Sequence, residues 1–188
     1  MDLCVEPGTL LASTPSMLDP NFMHSVVLMI QHTEQGAYGL VVNKAANLSI
    51  DELLPKHPIL GRTPFPVHWG GPVGLETMQI LHRVPEEIPG GLDLGSGLFL
   101  GGDLDAVARC AAQHDGRSPA RLRFVIGYSG WGEGQLDAEL RSESWIPAPL
   151  LLDAVFASDQ QRTWRSVLRS VGGETTGLED LPPDVRWN

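Results

Sequence analysis

Phe124-Val125-Ile126-Gly127-Tyr128-Ser129-Gly130-Trp131-Gly132-Glu133-Gly134-Gln135-Leu136-Asp137-Ala138-Glu139-Leu140 passes from an apolar, β-like run, through glycines, into helical spacing. Glycine tolerates positive φ and lets backbone approach closely. Gly127, Gly130, Gly132 and Gly134 around one tryptophan therefore predict a tightly shaped loop after a strand over Arg121 to Tyr128. Trp131 is either a plug closing the core beneath that loop or an exposed anchor for a partner. The plug is the favoured reading, because a bare loop needs something to order it.

Working outward, Ser25 to His32 is a continuously apolar, β-branched run that reads as a buried strand. A turn at residues 33–37 and a second strand at Tyr38 to Asn43 complete a hairpin, with Gly39 marking a bulge or a close packing partner. Ser49 and Glu52 have capping-box spacing and open a short helix that Pro55 stops. Val67 to Trp69 and Thr77 to Val84 read as extended segments joined through the tight Gly70-Gly71-Pro72 turn, and Leu98 to Leu100 as a brief strand. Asp103 caps a helix with Leu104, Val107, Ala108 and Ala111 on one face. A last helix starts at Ser158, with Gln161 completing a capping box and Trp164, Val167, Leu168 and Val171 on one face; Gly172-Gly173 ends it. Strands in hairpin pairs with helices between and after them predict an α+β fold, mainly antiparallel, in a single domain spanning 1–188. Its core runs over about residues 7–172, with 173–188 a loosely held tail.

The 188 residues are 42% hydrophobic and 19% charged, enough for a sizeable core. Thirteen Lys+Arg against 23 Asp+Glu give a net charge of −10. That disfavours nucleic-acid binding, for which Arg117, Arg121 and Arg123 form the one dense basic cluster. Cys4 and Cys110 are too few and too distant for a metal motif or disulfide framework, and read as reduced thiols. The N-terminus lacks signal-peptide character and no run reaches ~18 apolar residues, so a soluble cytoplasmic protein without a membrane anchor is expected.

Chemical motifs fall short one by one. Gly127-Tyr128-Ser129-Gly130-Trp131 has tryptophan where a nucleophile elbow needs glycine. Gly130-Trp131-Gly132-Glu133-Gly134-Gln135 has Gln135 where a dinucleotide fingerprint needs glycine, and Glu133 would repel an anion. The six histidines show no metal-ligand spacing, although His24 and His32 end one strand and can share a face. Glu133, Asp137 and Glu139 read as a helix's acidic first turns. No catalytic, metal or cofactor site is therefore expected.

The Gly127–Leu140 segment, with Pro7-Gly8-Thr9-Leu10-Leu11-Ala12, Met17-Leu18-Asp19-Pro20-Asn21-Phe22, Gly36 to Asn43, Gly70-Gly71-Pro72-Val73, Leu81-His82 and Trp145-Ile146, resembles the bacterial YqgE/AlgH family. Asp137 stands where that family more often has glutamate. The resemblance implies a bent sheet forming a partial barrel with helices around it, no established enzymatic activity, and a description as a transcriptional regulator that identifies no DNA-reading element. Two functions are set against each other. One is a non-enzymatic regulatory or protein-binding domain whose contact loop is Ser129, Gly130, Trp131, Gly132, Glu133 and Gln135, with Trp131 and Gln135 as leading contacts. The other is a small-molecule site or enzyme between that loop and the Gly70 turn, using Ser129, Glu133, His68 and His82.

Overall fold

The computed structural model describes residues 5–113 and 118–172. Cys4, His114, Arg117 and the expected tail at 173–188 lie outside the described residues. Among the described residues ten strands form one sheet: β1 (Leu10–Ser13), β2 (Val26–Thr33), β3 (Gly36–Val41), β4 (Ala45–Ser49), β5 (Pro66–Trp69), β6 (Val73–His82), β7 (Leu92–Asp93), β8 (Phe99–Leu100), β9 (Leu122–Trp131) and β10 (Trp145–Ala148). The main path runs β10-β1-β2-β3-β9-β6-β8-β7, with β5 also paired to β9 and β4 to β5. The sheet is open, and every pairing is antiparallel except β5 with β9.

The apolar run of β2 is continuous because both of its faces are covered. Val26, Leu28 and Ile30 join the cluster beneath α5 (Gln160–Val171), built on Trp164, Val167 and Leu168. Val27 and Met29 join the opposite cluster, beneath α3 (Gln135–Arg141), which holds Trp131, Leu136, Leu140 and Trp145. A third cluster sets Ile80, Leu122 and Phe124 against α1 (Ile50–Leu53) and α2 (Leu104–Ala111). The remaining helix, α4 (Leu152–Val155), precedes α5.

Several local expectations need correcting. The β2–β3 connection is shorter than 33–37, since both strands extend into it and Thr33 pairs with Gly36. A bulge between Met29 and Gln31 flips the side-chain parity of β2 opposite Gly39, where an added Cβ would meet Val27 at 2.7 Å. His24 therefore packs on Trp164 and His32 reaches Asp137 of α3, on opposite faces. Helix α5 is capped by Asp159, whose Oδ1 accepts from the Arg162 amide at 2.7 Å, one residue later than the Ser158 box. Leu104 and Val171 are exposed rather than part of their helices' buried faces. The Ser49 box does form, with Glu52 accepting the Ser49 amide at 2.9 Å.

The largest difference concerns Gly70-Gly71-Pro72. It does not fold β5 back onto β6. Instead β9 lies between them, parallel to β5 and antiparallel to β6. The chain steps from one edge of β9 to the other directly over Gly127 and Tyr128. A Cβ on Gly71, at φ +152°, would sit 2.1 Å from the Tyr128 carbonyl, and one on Gly127, at φ +69°, would sit 2.5 Å from the Gly71 oxygen. Gly70 is held on both sides, donating to Ile126 O and accepting from Val41 N, each at 2.8 Å. Gly71→Ala is expected to cost more than about 3 kcal/mol, since backbone rather than a movable side chain must yield. Urea unfolding of that variant against wild type checks this.

Candidate functional site

The Gly-Trp segment is not a loop throughout. β9 runs on through Gly130 and Trp131 because Ala37, Tyr38 and Gly39 of β3 pair with Trp131, Gly130 and Ser129. Trp131 is 7% exposed, so of the two readings it is the plug. Its indole N–H donates to Glu139 Oε2 at 2.9 Å, and the Trp145 indole donates to the same oxygen at 2.7 Å. Gln135 Nε2 donates to Glu139 Oε1 at 2.9 Å, while Gln135 Oε1 accepts the Gly132 amide at 3.0 Å. The two indoles meet edge to face at 6.0 Å, with Phe22 against Trp145 at 5.6 Å. One carboxylate thus clasps strand, loop, helix and β10 together. Gly134, at φ 67°, turns the chain into α3. Ser129 is fully buried and its hydroxyl donates to Gly70 O at 3.1 Å.

Gly130, Gly132, Glu133, Gly134 and Gln135 are exposed around this clasp. Beside them opens a hollow of about 270 Å³, bordered by Trp131, Tyr38, Gly36, Thr33 and Gln31. The AlgH-like family model matches residues 10–176, which takes in this whole arrangement. The chain belongs to the AlgH-like family. It is 35% identical over 178 residues to a UPF0301 protein of Chlorobaculum tepidum, covering 95% of this chain and 93% of that one. A UPF0301 protein of Bacteroides fragilis is 34% identical over 167 residues, covering 89% and 83%. Among solved structures, AlgH of Pseudomonas aeruginosa superposes with a TM-score of 0.68 at 26% identity, covering 93% of each chain. A crystallised protein of Corynebacterium diphtheriae gives 0.74 at 22% identity over 93% and 92%, a likeness of fold.

Within this AlgH-like chain the alternative set of Ser129, Glu133, His68 and His82 does not assemble. His82 pairs with Leu122, seven residues along β9 from Ser129, roughly 20 Å away at ~3.3 Å per residue. His68 is buried in β5 and Glu133 faces solvent. Nor do the described arginines of the basic cluster present a surface. Arg121 pairs with Glu87 at 2.6 Å. Arg123, 2% exposed, donates to the carbonyls of Val42 and Ala157. Among the described residues no three His, Cys, Asp or Glu side chains converge as metal ligands.

A second polar concavity went unread in the sequence. Met23, His24, Lys44, Asn47, Gln160 and Gln161 border a cavity of about 470 Å³ on the face opposite α3. Its contributors come from three separate segments, so no spacing rule connects them.

Two tests address these side chains. Glu139→Ala strands two indole donors and is expected to destabilise by about 2–3 kcal/mol, whereas Glu139→Gln, which keeps an acceptor oxygen, loses less. Chemical unfolding of both variants distinguishes the clasp from generic packing. Burial, reinforced by the Arg123 charge, pushes His68 down to about 3, and burial also pushes His24 and His82 below 6.5. His68 therefore stays neutral in the fold and protonates readily only when unfolded. Its stabilisation is complete above pH 6.5 and is lost as pH falls toward 3. Between pH 7 and 5 His68 alone is expected to cost on the order of 2 kcal/mol, and His68→Leu to flatten the pH profile of the urea midpoint.

Proposed function

We propose that this AlgH-like chain is a non-enzymatic, cytoplasmic regulatory protein that binds a protein partner through the exposed rim of the Gly-Trp segment. The observation that carries this reading is a pair of glycines the fold does not require. Most described glycines have positive φ or backbone and side chains too close for a Cβ. Gly130 and Gly132 have neither: an added Cβ would come no nearer than 3.5 Å to the Tyr128 ring or 3.9 Å to Gln135. Bare backbone at two exposed, rigidly held positions suits close approach by another molecule.

The surroundings support the same reading. The hollow beside Trp131 gives a partner side chain a concave seat with an aromatic wall, the setting of an interface hot spot. Tyr38 and Tyr128, edge to face at 5.5 Å, continue that surface to Val73 and Leu75, which are 41% and 51% exposed. Trp131 acts here by holding the rim, and the contacts fall to Gly130, Gly132, Glu133 and Gln135. Direct DNA reading finds no support, given the net charge of −10 and the engaged arginines.

The double substitution Gly130→Ala, Gly132→Ala is expected to leave the melting temperature within about 2 °C of wild type, because it introduces no clash or strain. Cross-linked affinity capture from the host should then lose one specific protein adduct. Identical adducts from wild type and the double variant would overturn the reading.

A further inference from the structure

Helix α5 divides sharply around its axis. Thr163, Trp164, Val167 and Leu168 are buried. Arg162, Arg165 and Arg169 are exposed on the other side. At about 100° per residue these three positions fall within roughly 60° of one another, centred opposite the buried stripe. Gln160 to Val171 contains no Asp or Glu, so the helix offers these arginines no acidic neighbour of its own. A solvated helix face ordinarily mixes both signs. This one is uniformly basic, in a chain with 13 basic and 23 acidic residues.

The surroundings leave that charge uncompensated. Among the described residues neither Arg162 nor Arg165 has an ion-pair partner. The carboxylates near the start of the helix are engaged elsewhere: Asp159 Oδ1 accepts the Arg162 amide at 2.7 Å, and Asp153 pairs with Arg83 at 3.2 Å. Beside the first turns of α5 runs a groove of about 330 Å³, bordered by Asp153, Ala157, Ser158, Arg162 and Ser166.

The complementary charge lies in the sequence that follows. The chain leaves α5 at Gly172, whose φ of 68° turns it out of the helical path. Residues 173–188 carry Glu174, Glu179, Asp180 and Asp184 against the single base Arg186. The family match ends at residue 176, so most of this acidic stretch lies beyond it. A twelve-residue helix is about 18 Å long, a distance an extended chain covers in about six residues. Glu179 and Asp180 stand seven and eight positions after Gly172, so a path doubling back along α5 brings them to Arg165 and Arg162. A tether this short gives an effective concentration in the mM range, which favours the segment over an untethered acidic partner.

We infer that residues 173–188 dock on the basic face of α5, with Glu179 and Asp180 meeting Arg162 and Arg165 beside the groove. The contact is a charge-driven strap that shields this face from other anions. It weakens with salt, because the screening length falls from about 30 Å at 0.01 M to about 3 Å at 1 M. It lies on the side of the sheet away from α3 and does not depend on what the Gly-Trp rim binds.

The test is paramagnetic relaxation in the full chain, with a nitroxide on Val185→Cys. Cys4→Ser keeps the labelling to one site, since Cys110 is buried. Amides of residues 160–166 are expected to broaden in about 0.01 M salt and to recover in about 1 M. Arg162→Glu with Arg165→Glu should abolish that broadening, and adding Glu179→Arg with Asp180→Arg should restore it. A role limited to surface solubility predicts no such rescue. Glu179→Arg with Asp180→Arg alone leaves α5 untouched and should also abolish the broadening. Broadening confined to the labelled segment in low salt, broadening centred on another element, or α5 broadening that survives both single-sided reversals would each sink the inference.

Discussion

The step of Gly70-Gly71-Pro72 over β9 is the constraint on which the rest of the sheet rests. At that point two backbones touch with no room for a Cβ on either side. The contact lets β9 take β5 on one edge and β6 on the other with only a three-residue connection between those two mutually antiparallel strands, while the parallel β5–β9 pair is joined by the long excursion through β6, β7, β8 and α2. Gly127, in the left-handed region, then lets β9 turn from the β5 and β6 neighbourhood to pair with β3. Ser129 closes the junction by donating its hydroxyl to Gly70. A serine that looks like a nucleophile in sequence is thus spent on one carbonyl of the crossing.

Aromatic and charged side chains secure the two halves that meet there. On the α3 face, a carboxylate shared by two indoles holds the end of β9 against β10. On the α5 face, the Trp164 indole donates to Ser13 O at 2.8 Å and its ring carries the stacked His24. Arg123 is buried within the sheet, and burial draws it down to about 10, so it remains a cation at neutral pH. Its two carbonyl partners, on Val42 and Ala157, come from strand and helix junctions far apart in sequence. A buried charge compensated by carbonyl dipoles is costly to disturb.

Elements set by local chemistry were legible in the sequence. The β2–β3 hairpin, the Ser49 capping box, the Asp103 cap and the α5 apolar face each follow from residues within a few positions of one another. Trp131 was legible only as a plug or an anchor, with the plug favoured, and its burial against Glu139 and Trp145 decides between them. The parallel β5–β9 pair was not, because a glycine-proline turn between extended segments looks the same whether they pair with each other or straddle a third strand. β1, β4 and β10 were missed for a related reason: four- and five-residue strands carry little periodicity, and β10 contains Pro147. The polar cavity bordered by His24, Lys44 and Gln160 was invisible because these residues share no spacing, and only the Asn43 amide brings their segments together.

The pairing order also bears on how the chain is made. β1 near the N-terminus has β10 as a neighbour, with Leu10 opposite Ala148, and β3, β5 and β6 all wait for β9. On a ribosome adding about 5–20 residues per second, Ala148 follows Leu10 by roughly 7 to 28 s. During that interval β2 and β3 can close their hairpin, while β5 and β6 stand with bare edges on either side of a gap that β9 has yet to fill. Non-local pairing of this kind is slow to form and exposes apolar strands as it does so. The nascent chain therefore carries unpaired apolar strand edges until its last third emerges.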